Sequence, residues 1–315
     1  MGRYIARRLL IALPTLLGLS LLIFSLVSWA PGDPAEELAR RRNSGAEVSP
    51  ADIQRARLEL RLDRPFVAQY GGWLADAVRG DLGRSFTRQT PVATEIRERL
   101  AASSELAGAA LLLTLAVAIP LGVLAAMFHR RWPDHLLRVG ALTGASIPSF
   151  FLAYLLIIFF VTRLGLFPVA GRHGLSSLVL PAVSLAVLPT AIVSRLLRSS
   201  LLEVFTEDYM RTARGKGLSR MQVVLRHGLR NAAIPVVTYL GGLVAILLEG
   251  VVIVEFIYAW PGLGRLAYEA ISQRDYPMIQ GVVLFIGAVY IVMNLLVDVS
   301  YRLLDPRVRL EASAA

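Results

Sequence analysis

Six runs of apolar residues dominate this chain of 315 residues, and they constrain its fold more than any other feature. They cover roughly 9–30, 105–128, 136–163, 178–200, 232–257 and 279–301. At 1.5 Å rise per residue, about 20 such residues cross a hydrocarbon core roughly 30 Å thick. Backbone polar groups find no water there, so each run is predicted to be a helix. The reading is an all-α membrane protein with six transmembrane helices. The 55% apolar content and mean hydropathy of +0.58 fit that reading better than they fit a water-soluble surface.

The first run follows Arg3, Arg7 and Arg8. A secretory signal has a similar basic start but a shorter apolar core and a small-residue cleavage site. This run ends instead in Trp29-Ala-Pro-Gly-Asp33, so an uncleaved first helix over 1–30 is predicted, with its N-terminus in the cytoplasm. Residues 31–104 are polar and mixed in sign and read as an external insertion. Within it, Ser49-Pro50-Ala51-Asp52 signals a helix start, with a capping Ser, Pro at the first helical position and an acid three residues on. A five-helix core fills 105–301, broken by a long loop at 201–231, and a cytoplasmic tail covers 302–315.

Charge fixes the orientation. The segments placed inside, 1–8, 129–138, 201–231 and 302–315, hold fifteen Arg or Lys, and the short outer loops 164–177 and 258–277 hold three. This is the bias expected of cytoplasmic loops, and it puts both termini inside. It also accounts for the net charge of +10 without nucleic acid, because aromatic side chains are not interleaved with the basic ones as stacking would require. There is no Cys, which excludes disulfides and thiol chemistry, and none of the four histidines sits in a zinc-protease motif. An intramembrane protease would need Ser and His to meet at membrane depth, whereas His129, His135, His173 and His227 all fall in or beside loops. The only Lys, Lys216, is followed by Gly217, so the chain has no standard nucleotide-binding P-loop.

Prolines at 120, 148, 181, 189 and 235 lie in or at the starts of the runs, where a helix bundle tolerates them. Gly122, Gly241, Gly242 and Gly281 suit close helix approach. Glu249 and Glu255 lie in the fifth run. Glu249, the deeper, is a candidate for lining a pathway, as is Asn294 in the sixth. Glu255 reads as reaching water or capping the Trp260-Pro-Gly loop. Asp298 is placed to pair with Arg302, Arg195 and Arg198 to snorkel, and Trp29, Trp132 and Trp260 to form an aromatic belt.

The loop at 201–231 contains Glu207-Asp-Tyr-Met-Arg-Thr-Ala-Arg-Gly-Lys-Gly-Leu-Ser219. Acids at its start and Arg214 and Lys216 at its end suit a short helix. Gly215 and Gly217 can end that helix, and Ser219 can cap the next. On the residues alone it reads either as a rigid two-helix elbow or as an ordinary basic loop, and a channel or secondary transporter working without ATP stays open.

The stretch from Glu207 to Val236 resembles the coupling loop of ATP-binding-cassette (ABC) importer permeases, the EAA motif. Its Glu-Ala-Ala positions fall on Arg211, Thr212 and Ala213, and its Gly on Gly217. The first two depart from the generic pattern and match the dipeptide, oligopeptide and nickel subfamily, where Tyr-x-Arg-Thr-Ala-x-x-Lys-Gly-Leu is usual. Leu62-Asp-Arg-Pro65, Gly80-Asp-Leu-Gly-Arg-Ser85, Ser146-Ile-Pro-Ser-Phe150, Trp260-Pro-Gly-Leu-Gly264 and Leu304-Asp-Pro-Arg307 extend the resemblance along the chain. It implies the first of two paired permeases in a bacterial inner membrane. The partners implied are a second homologous permease, two cytoplasmic ATPases carrying ATP and Mg, an extracytoplasmic solute-binding protein and membrane lipid. The chain itself would hold no cofactor or metal and would carry out no bond chemistry. The implied ATPase contacts are Tyr209, Arg211, Thr212, Ala213, Lys216, Gly217 and Leu218. The implied cargo is a peptide, with nickel or a glutathione-like solute as the alternative.

Overall fold

The computed structural model describes residues 2–43 and 47–304, apart from the side chains of 2–7, 9, 244–246, 248–250 and 298–304. Among the described residues there are helices and no strand; one isolated antiparallel bridge joins Arg84 and Pro91. The helices are α1 (Gly2–Trp29), α2 (Pro34–Arg42), α3 (Pro50–Glu59), α4 (Phe66–Val78), α5 (Val92–Met127), α6 (Trp132–Ser146), α7 (Ser149–Leu156), α8 (Leu175–Val204), α9 (Asp208–Gly215), α10 (Arg220–Val223), α11 (Leu229–Ile257), α12 (Leu263–Ser272) and α13 (Tyr276–Leu304). π-helical turns at Ile157–Arg163 and Val224–Gly228 extend α7 and join α10 to α11.

Four stretches of the described residues are long and apolar enough to cross a membrane: Leu10–Trp29, Val92–Met127, Leu175–Val204 and Tyr276–Val297. The run at 136–163, predicted as one helix, is two, bent by 101° between α6 and the Ser149–Arg163 segment. Pro148 is the cause. It lacks an N–H and forces the residue before it out of the helical region, and Ile147 accordingly sits at φ −89°, ψ 119°. Counted as one broken span, the pair makes a fifth. The run at 232–257 lies within the 29 residues of α11, part of whose side chains are outside the description. Prolines 120, 181, 189 and 235 stay inside helices, as a bundle allows.

The chain divides into two compact units: Met1–Ala102 with Gly262–Val292, and Ser103–Pro261 with Met293–Ala315. In the first, Ile23 and Val27 of α1 pack with Ala35, Leu38, Ala39, Ala56, Phe86 and Tyr276. Ser49 caps α3 through the predicted box: Asp52 N–H donates to Ser49 Oγ, and Ser49 N–H donates to the Asp52 carboxylate. Hydrogen bonds from the Ser49 hydroxyl and then the Asn43 amide hold the Asp52 carboxyl below its ordinary value. Asp275, 2% exposed, accepts from Ser85 Oγ and from the N–H groups of Phe86 and Thr87, which pins the 85–87 turn to the start of α13.

In the second unit α8 is the hub, packed against α6, α7 and α11. Its Val193, Leu197 and Leu201 are buried with Ala118, Val123 and Ala126 of α5 and Ala232 and Val236 of α11. The α5–α8 crossing depends on Gly122, where a Cβ would lie 2.9 Å from the Ser194 carbonyl oxygen. Gly241 and Gly281 also sit against neighbours, Val297 and Val92 respectively. Among the described residues, no atom lies within 4 Å of a Cβ placed on Gly242.

Three polar expectations are corrected. Arg198 does not snorkel: its side chain is 15% exposed and forks onto Asp134, 1% exposed, with both contacts at 2.7 Å. Glu255 does not reach water: it is fully buried and accepts from Ser103 Oγ, while its carbonyl accepts from Trp260 N–H at 2.8 Å. Trp260 is fully buried, so it is a packing residue; Trp29 and Trp132, 76% and 74% exposed, keep the exposure a belt residue needs. For Arg198 and Glu255 the burial follows from contacts with distant parts of the chain, which position along a run does not show. The Asp298–Arg302 pair lies outside the described side chains.

Two outcomes follow. Gly122→Leu should lower the unfolding temperature of the purified complex by overpacking, at a cost of about 1–3 kcal/mol. Arg198→Ala should cost about 3–5 kcal/mol, because it strands the Asp134 carboxylate. The double change Asp134→Leu, Arg198→Met should recover most of that loss, read by thermal unfolding in detergent.

Candidate coupling site

The elbow forms because the sequence stops and restarts helices at fixed points. α8 ends at Val204, and Glu207 at φ −67°, ψ 145° turns the chain into α9. α9 lasts eight residues and ends at Gly215, with Lys216 as its cap. Gly217 then adopts φ +80°, a left-handed geometry open to Gly at little cost. Gly215, also predicted to take that role, remains in the helix. Ser219 caps α10, and Gln222 returns the bond to the Ser219 N–H. The predicted glycine break between two helices is present. The second helix is not a separate unit, however, because α10, the π turn and α11 run on without interruption from Arg220 to Ile257.

What makes the elbow rigid is a small apolar core. Met210, 1% exposed, packs with Ala213 and Val223, and Val204, Phe205 and Leu218 close around them. Met210 is so close to the π turn that a Cβ on Gly228 would lie 3.3 Å from its Cε. Polar ties add to this core. Asn231 Nδ2 donates to Tyr209 Oη at 2.7 Å, Arg214 donates to the Phe205 carbonyl at 2.9 Å, and Arg220 donates to the Met127 carbonyl at the end of α5. A groove of about 450 Å³ remains, lined by Phe205, Met210, Arg214, Leu218, Arg220, Val223 and Val224.

The predicted contact residues divide by position. Tyr209, Arg211, Thr212, Lys216 and Gly217 are exposed on the outside of the elbow. Ala213 is buried and Leu218 half-buried; they hold the elbow together from within. The Arg211 side chain is 79% exposed, and its 3.9 Å approach to a still more open Asp208 is a weak tie. Thr212 Oγ1 donates to the Asp208 carbonyl within its own helix. Asn294 is half-buried on α13, and the Glu249 side chain lies outside the description. Sequence reasoning missed Met210, Asn231 and Arg220. The only signal for Met210 was its spacing of three from Ala213, which puts both on one helix face.

The elbow can be set beside known proteins. The model of the N-terminal part of the binding-protein-dependent transport system membrane component matches residues 1–107, and the model of the binding-protein-dependent transport system inner membrane component matches residues 118–310. The chain belongs to that inner membrane component family. It is 40% identical over 309 residues to the glutathione transport system permease protein GsiC of Escherichia coli strain K12, covering 98% of this chain and 99% of that protein. It is 43% identical over 317 residues to a putative peptide transport system permease protein of Brucella abortus strain 2308, with the same coverage. Among solved structures, the MetNI methionine ABC transporter in an inward-facing conformation aligns at TM-score 0.55 and 18% identity, covering 67% of this chain and 96% of that one. The family and these relatives make the chain the permease subunit of an ABC importer, a multi-pass membrane protein that is not itself the catalytic component.

Gly217 separates shape from surface. Gly217→Ala should cost about 1 kcal/mol through its left-handed backbone, detectable as a small drop in unfolding temperature. Met210→Ala should cost about 2–5 kcal/mol by emptying the elbow core.

Proposed function

We propose that this chain forms half of a peptide translocation pathway in a bacterial inner membrane and takes its driving force through the α9 elbow. The observation that carries this reading is the elbow itself. A segment held by a buried Met210 and three polar ties presents Tyr209, Arg211, Thr212 and Lys216 outward with few partners of their own. An ordinary basic loop has no need of such an internal core, and a channel has no need of a docking handle.

In this reading six spans cross the membrane, with α11 as the fifth and both termini inside. An external insertion over 31–104, the core 105–301 and the tail 302–315 follow from that topology. Two cytoplasmic ATPases, which carry ATP and Mg, receive the elbows of this chain and of a second homologous permease. Nucleotide-driven closure moves the elbows, and the shared cavity opens to each side in turn while a solute-binding protein delivers the cargo from outside. Tyr209, Arg211, Thr212, Lys216 and Gly217 meet the ATPase, and Ala213 and Leu218 shape that surface from beneath. Glu249 and Asn294 line the pathway.

The cargo is a short peptide, on the strength of the two relatives whose names specify peptide and glutathione, the latter itself a tripeptide. Reconstituted with its partners, the chain should co-purify with two ATPase chains and support vanadate-sensitive uptake of a labelled peptide. Competition by glutathione, by unmodified tripeptides and by nickel chelates would rank the three cargo readings. Gly217→Asp should abolish uptake while the complex still assembles. Wild-type uptake by that variant would overturn the coupling assignment.

A further inference from the structure

Within the segment that reads as a polar external insertion, α4 stands apart: between Phe66 and Val78 it carries a single charged residue, Asp76. At 100° per residue its side chains sort into three sectors. Phe66, Tyr70 and Trp73 fall within about 60° of one another. They surround the Phe24 ring of α1, with centroids 5.5, 5.5 and 5.4 Å away. Tyr70 Oη also hydrogen-bonds Ser20 Oγ at 2.8 Å.

Those partners set a depth. Ser20 and Phe24 precede Trp29, the outer end of the span Leu10–Trp29, by about 13 and 8 Å at 1.5 Å per residue. A helix docked on them lies beside the outer half of a membrane span, below its rim. The second sector, Val67, Leu74 and Val78, spans about 40° and carries Val67 and Val78 at 79% and 82% exposure. The third holds Gln69 and Asp76, and Asp76 pairs with Arg61 at 3.0 Å. At that depth an open apolar sector borders the same hydrocarbon as the exposed Leu21, Leu22 and Leu26 of α1.

We propose that α4 is an interfacial helix seated in the outer leaflet. Val67, Leu74 and Val78 lie against lipid acyl chains, and the Asp76–Arg61 pair sits at headgroup level, with the aromatic sector fastening the helix to α1. This is the arrangement of amphipathic helices that lie in the interface plane. Tyr70 and Trp73 are residue types that favour this zone. The insertion then has a foot in the bilayer, and α2 and α3 stand above it. The assignment rests on the topology proposed above, which places this segment outside.

The chain has no Cys, so single cysteines at 55, 67 and 78 can carry nitroxide labels in the full complex, built with cysteine-free partners in phospholipid nanodiscs. Positions 67 and 78 should be several-fold more accessible to oxygen than to a water-soluble nickel chelate. Position 55 on α3, where Arg55 is 80% exposed, should show the reverse. Chelate access at 67 and 78 matching position 55 would overturn the proposal, and so would shielding from both probes, which would mean a protein partner covers the sector. Labelling of Arg55→Cys by an impermeant thiol reagent in spheroplasts tests the topology separately. If that cysteine is unreactive, the topology is wrong and the proposal falls with it; if it reacts, the nitroxide result bears on α4 alone.

Discussion

A bilayer offers the backbone no hydrogen-bonding solvent, and the rest of this structure follows from that constraint. Apolar runs become helices because no other single-segment arrangement satisfies their N–H and C=O groups. Side chains then decide how the helices meet. α8 is central because its small and branched residues allow α5 and α11 to approach, and Gly122 sets how near α5 can come. Buried charges obey the same rule. Asp134 is tolerated because Arg198 and the Arg130 N–H occupy its oxygens, and Glu255 receives Ser103 Oγ.

The elbow obeys a different rule. α9 is too short to be stable by itself. It holds its shape because Met210 and Ala213 meet Val223 beneath it, and because side chains of Asn231, Arg214 and Arg220 close its polar ends. Of its outward residues, Tyr209 shares in these ties through Asn231, whereas Arg211 and Lys216 are exposed and lie off the apolar core. That division between an inner and an outer face is what the proposed docking role would require.

Much of this was legible in the sequence, wherever local chemistry dominates. The Ser49 and Ser219 caps, the left-handed Gly217 and the positions of the long helices depend on neighbours within a few residues. The misread charges involve partners far along the chain. Arg198 finds Asp134 across 64 residues and Glu255 finds Ser103 across 152, so both lost the solvent that their place near a helix end implied. Pro148 was counted with the tolerated prolines. It differs because a bend of 101° follows the extended Ile147, whereas Pro120 and Pro189 remain inside continuous helices. α4 was missed because its 13 residues are too few to cross a membrane, and its three sectors show only when the helix is seen against Phe24.

The unbroken passage from α10 through the π turn into α11 has a mechanical consequence. A π turn accommodates an extra residue without breaking the helix, so it shifts the angular phase of everything on one side relative to the other. The rod from Arg220 to Ile257 is then a shaft with a collar of wider register at Val224–Gly228. Tightening or relaxing that collar by one hydrogen-bond register would twist the length of α11 by a fraction of a turn. In the coupling role proposed for the elbow, a torque applied there would arrive near Trp260 as rotation instead of a push.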